Sequence, residues 1–86
     1  MKIAVYDTHV TKKNGGIMHF DIVVSEEIPY EKVLEFGRDY LKGVGQEEQS
    51  LSAKECKFCH SLQADRGIEK AIRAHGFHIA EMEGCR

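Results

Sequence analysis

The chain has 86 residues, 42% of them hydrophobic and 30% charged, with 12 Lys+Arg against 14 Asp+Glu. That length holds one hydrophobic core, because a second would need about 50 residues of its own, so residues 1–86 are expected to form a single domain. Divided at Gly43/Val44, each half carries six basic and seven acidic residues, a balance that excludes nucleic-acid binding through a basic stripe and polybasic attachment to a membrane.

The chain opens on Met1-Lys2-Ile3-Ala4-Val5-Tyr6-Asp7, which reaches an acid with no export-type apolar region behind it. No run approaches the roughly 20 apolar residues that span a bilayer. The expected location is therefore the cytoplasm. Three cysteines, Cys56, Cys59 and Cys85, suit a reducing compartment better than a disulfide framework.

Residues 2–10 and 17–24 read as two strands. In the second, Met18, Phe20, Ile22 and Val24 alternate with Ile17, His19, Asp21 and Val23, the period-2 pattern of a strand. Lys12-Lys13-Asn14-Gly15-Gly16 between them supplies residues that accept positive φ, which predicts a hairpin. Residues 29–42 read as a helix, with Pro29 suited to its first position and Tyr30, Val33, Leu34, Gly37, Tyr40 and Leu41 forming an apolar stripe. Gly37 within that stripe costs about 1 kcal/mol of helix propensity relative to alanine, so a close backbone approach to the sheet is expected there. Gly43 is the expected stop.

The polar segment from Val44 to Ser50 reads as a loop, and residues 51–58 as a weaker third strand. A second helix is expected from about Gln63 or Asp65 to His75, with Ala64, Ile68, Ala71, Ile72 and His75 on one face and Gly76 as its stop. Phe77 to Met82 reads as the last strand. The order ββαβαβ predicts an α+β fold, a two-layer sandwich of a mixed four-stranded sheet with two helices on one face.

Two constellations carry candidate chemistry. The first is Cys56-Lys57-Phe58-Cys59-His60, where two thiols three apart and an adjacent imidazole can converge on a zinc ion, with Cys85 or a histidine such as His75 or His78 completing a tetrahedron. A second Cys-x-x-Cys knuckle is missing, so thiol chemistry and burial of the cysteines as small hydrophobes stay open as alternatives. The segment also matches the haem c attachment pattern, which the absence of an export signal disfavours. A thioredoxin-like arrangement is disfavoured too, because the pair follows the third strand and Pro29, the single proline, begins a helix.

The second constellation comes from the hairpin. A register that matches apolar residues puts Ala4, Tyr6 and Val10 on one face with Met18, Phe20, Ile22 and Val24. Asp7 and His9 then share the other face with His19 and Asp21. Two imidazoles and two carboxylates on one surface can hold a divalent metal or work as an acid–base pair. The bland alternative is a solvated face with ordinary charge pairs. Ile3, Val5, Ile17 and Val23 on the same face would be exposed if no helix covered them, and pairing of two subunits would bury them.

Met1-Lys2-Ile3-Ala4-Val5-Tyr6-Asp7-Thr8, Met18-His19-Phe20-Asp21-Ile22, Cys56-x-Phe58-Cys59-His60, Gly76-Phe77-x-Ile79 and Met82-Glu83-Gly84-Cys85 resemble the small bacterial proteins grouped as domain of unknown function 2024. The resemblance covers nearly the whole chain. It implies a compact α+β domain and a stand-alone cytosolic protein, and leaves the chemistry of the Cys-x-x-Cys-His segment open. Three expectations follow: a non-enzymatic binding or regulatory protein with a zinc or thiol site at Cys56, Cys59, His60 and Cys85; a homodimeric interaction module without metal; or a small enzyme using Asp7, His9, His19 and Asp21.

Overall fold

The structure is a computed structural model and describes residues 2–55 and 66–85. Its elements run β1 (Ile3–Thr11), β2 (Ile17–Ser25), α1 (Tyr30–Gly43), β3 (Ser52–Glu55), α2 (Arg66–His75) and β4 (Phe77–Glu83). The α+β class, the ββαβαβ order and the four-stranded sheet agree with the sequence reading.

The hairpin forms where Asn14-Gly15-Gly16 allows it. Gly15 takes φ +91°, the Lys12 amide donates to the Gly16 carbonyl at 2.7 Å, and Asn14 Oδ1 accepts from the Gly16 amide at 2.9 Å. β1 and β2 then pair from Ile3↔Ser25 to Thr11↔Ile17. This register brings Ala4, Tyr6 and Val10 alongside Met18, Phe20, Ile22 and Val24 in one buried cluster with Val33, Phe36 and Leu41 of α1. Each such large side chain removed from water contributes roughly 1.5–3 kcal/mol, which makes this cluster the main source of stability. Gly37 is buried against the sheet: a Cβ there would lie 2.6 Å from Leu51 Cδ2 and 3.1 Å from Ile22 Cδ1. The close approach expected from a glycine in the apolar stripe is present. Pro29 is the N-cap rather than the first helical residue, and the helix runs through Gly43 to a C-cap at Val44.

Two features differ from the expected architecture. The sheet, ordered β3-β1-β2-β4, is antiparallel at every described pairing rather than mixed. β3 runs in the direction of β2 but docks on β1, and β4 runs in the direction of β1 but docks on β2. The helices also lie on opposite faces rather than one. α1 covers the cluster just described, while Ile72 and Ile68 of α2 pack on Ile3, Val5 and Val23.

The reason lies in the strands. Ile22, Val23 and Val24 are buried in succession, as are Ile3, Ala4, Val5 and Tyr6, so this end of the sheet is apolar on both faces and each face needs a cover. The Ile68/Ile72 stripe is narrow and matches the short patch beneath it. Ile3, Val5 and Val23 are therefore covered by α2 and are unavailable as an open apolar surface, whereas Ile17 is 63% exposed. Among the described residues no helix is long and apolar enough to cross a membrane.

Candidate functional site

Beyond the patch under α2, the same face of the sheet turns polar. Antiparallel register sets residues directly opposite each other on a shared face. One rung runs Lys54, Asp7, Asp21, Ala80 across the four strands, and the next runs Ser52, His9, His19, Glu83. Asp7, His9, His19 and Asp21 are therefore brought to one face, as the alternation in the hairpin predicts.

The contacts within this group are specific. His19 Nε2 is hydrogen-bonded to Asp7 Oδ1, and Asp21 Oδ1 lies 4.0 Å from the same nitrogen. The imidazoles of His9 and His19 stack, with centroids 4.1 Å apart and planes 11° from parallel. One ligand atom each from Asp7, His9 and His19 lies within 4.8 Å of the other two. Three such atoms always have a point within about 2.8 Å of all of them. Zn–N and Zn–O bonds are roughly 2.0–2.2 Å, so a small rotamer adjustment of each side chain would bring all three to bonding distance.

The two carboxyls are pushed in opposite directions. The hydrogen bond from His19 holds Asp7 below the usual aspartate value, helped by the nearby imidazole charge. Burial pushes Asp21 above it, and the Asp7 carboxylate adds to the shift by accepting a hydrogen bond from protonated Asp21 and by repelling its charged form. Asp7 is thus the anionic member of the pair and Asp21 the one that holds a proton more readily.

A groove of about 350 Å³ opens beside the cluster, lined by Asp7, His9, Ser52, Ala53 and Lys54. Ser52 and Lys54 are the site residues that sequence reasoning missed. Their alternation on β3 was visible, but not their pairing with His9 and Asp7, because nothing in β3 itself fixes which strand it docks on.

Cys85 does not join this cluster. Its thiol is half-buried on the α1 side, packed against the main core, and donates to the His19 carbonyl at 3.3 Å. Nearby, Tyr40 donates its hydroxyl proton to Glu81 Oε2 at 2.6 Å and packs against Phe20 with the rings tilted 56°. Burial, together with Glu81 and the Cys85 thiol, raises the Tyr40 pKa. Cys56, Cys59 and His60 lie outside the described residues. His75 is exposed at the end of α2, and His78 stands opposite Val23. Among the described residues, Asp7, His9 and His19 are the group whose geometry suits a metal ion.

A family model described as a domain of unknown function (DUF2024) matches residues 1–82, and the chain belongs to this family. Its fold is similar to that of a protein from Nitrosomonas europaea, determined by NMR as a structural-genomics target. The two are 35% identical, each chain is covered over 100% of its length, and the TM-score is 0.82. No curated protein matches the chain.

Proposed function

We propose that this member of the family is a small binding protein for a divalent first-row metal ion of the zinc or iron class, held by Asp7, His9 and His19. The observation that carries this reading is the approach of one carboxylate oxygen and two imidazole nitrogens to within 4.8 Å of one another. Imidazole nitrogen with one carboxylate suits zinc and ferrous iron, and three protein ligands leave a coordination position open. Asp21, with Oδ1 4.0 Å from the same His19 nitrogen, adds a further carboxylate beside the three. The His19–Asp7 hydrogen bond supports the reading in a second way: it prealigns two ligands, and the metal would take the place of the bridging proton.

Calorimetric titration with zinc tests this, with cobalt(II) absorption reporting the donor atoms. Because Cys56 and Cys59 are an independent set of soft ligands, the titration belongs in a Cys56→Ser/Cys59→Ser chain. The expected result is one ion per chain with no sulfur-to-cobalt charge-transfer band, and affinity at least about tenfold weaker in His9→Ala and His19→Ala. Absence of binding in the serine double variant, or binding indifferent to both histidines, refutes the assignment.

A further inference from the structure

The groove beside the metal ligands has a chemical character of its own. It is bounded on one side by Asp7 and His9 and on the other by Ser52 and Lys54 of β3. Lys54 stands directly opposite Asp7, the position in which an ammonium and a carboxylate on neighbouring strands ordinarily pair. They do not pair: Asp7 Oδ1 is engaged by His19, and the Lys54 ammonium makes no hydrogen bond or ion pair among the described residues. The Ser52 hydroxyl is equally uncommitted among them. An ammonium with three donors and a hydroxyl with one therefore line a space that also opens on two of the three proposed ligands.

Resting on the metal reading above, we propose that this groove binds a small oxyanion, a carboxylate or a phosphate, which occupies the open position on the metal and accepts hydrogen bonds from Lys54 Nζ and Ser52 Oγ. The charges set an order of events. Without metal, the Asp7 carboxylate faces the groove and repels an anion. With a dication on Asp7, His9 and His19, the charge of the Asp7 carboxylate is more than neutralised, Lys54 supplies a further positive charge, and the anion is drawn in. Anion binding is thus conditional on metal. The same sheet face that gathers the ligands also supplies the counter-charge, because rung partners on β3 lie next to them.

The test uses the full chain carrying Cys56→Ser/Cys59→Ser, loaded with cobalt(II) and titrated separately with inorganic phosphate and with acetate, followed by visible absorption and calorimetry. The expected result is a saturable change in the cobalt spectrum with at least one anion, and no heat of anion binding in the metal-free chain. Lys54→Met should weaken the anion about tenfold or more, the scale of one charge-assisted hydrogen bond, and leave cobalt affinity within about twofold. Lys54→Arg should restore most of the loss, which a merely structural lysine would not require. A response to phosphate alone or acetate alone identifies the oxyanion class. Cobalt bound with no response to either anion, or with Lys54→Met responding like the parent, overturns the oxyanion site alone. Failure to take up cobalt overturns the metal reading and this site with it.

Discussion

Replacing Ile72 by alanine tests where α2 is docked. Ile72 is 8% exposed and packs with Ile3, Val5 and Val23 on the face opposite α1. Removing a buried isoleucine to alanine costs about 2–5 kcal/mol, depending on how far the site collapses. This cluster has four buried members with Ile68 at its side, so partial collapse is available and about 2–3 kcal/mol is expected. For a chain of this length each kcal/mol lowers Tm by roughly 4–8 °C, giving a fall on the order of 10–20 °C. Urea unfolding followed by circular dichroism reads the midpoint shift directly, with Ile17→Ala at a 63% exposed site as a control expected within about 0.5 kcal/mol. Double variants locate the contact: Ile72→Ala should couple to Val5→Ala by about 0.5 kcal/mol or more, and add to Val33→Ala of α1 within about that margin. A loss below about 1 kcal/mol, or coupling to Val33 instead of Val5, refutes helices on opposite faces.

Other consequences are equally direct. Asp7 has its folded-state pKa depressed by His19, so its stabilising contribution is complete above the ordinary aspartate value near 3.9 and disappears as pH falls through the lower folded value. Asp7→Asn should flatten that part of the acid-denaturation curve, and an unchanged curve would refute the pairing. Asp21 has its pKa raised by burial and by Asp7, so its contribution has the opposite sign, being present at low pH and lost as pH rises through the folded value. Asp21→Asn should stabilise the metal-free protein at pH 7 by about 0.5 kcal/mol, measured by chemical unfolding; destabilisation there would contradict it. Gly84 takes φ +68°, and a Cβ would lie 2.2 Å from the Ile17 carbonyl oxygen. In the Cys56→Ser/Cys59→Ser chain, Gly84→Ala should cost about 1–2 kcal/mol or more and raise the reaction rate of the Cys85 thiol with a disulfide reagent by displacing it from His19; an unaltered rate would show the turn is not needed.

The legible part of this protein was whatever a short stretch of chain specifies locally. Asn14-Gly15-Gly16 dictates the hairpin because these residues accept the turn's backbone angles. Strict alternation through Met18, Phe20, Ile22 and Val24 then sets the β1–β2 register, since a one-residue slip would move the whole apolar set to the wrong face. From that register alone Asp7, His9, His19 and Asp21 share a surface. Gly37 likewise announced its contact, because a glycine inside an apolar helical stripe signals a close neighbour. Phe36 is buried although it lies outside the apolar stripe read from the sequence, whereas Tyr30, within that stripe, is exposed and reaches back to donate to the Ala53 carbonyl at 2.8 Å.

What the sequence determined by itself, then, is the order of elements, the hairpin register and the identity of the polar cluster. Tertiary structure decided which strand each edge strand joins and which face each helix covers. These are choices among distant segments. Ile3 and Val5 are as apolar as Ala4 and Tyr6, so no local pattern says which face a helix will take, and the chain answers by covering both. β3 carries four residues and no signal of its partner. Only its docking on β1 sets Ser52 and Lys54 beside His9 and Asp7, turning a polar cluster into a cluster with a groove.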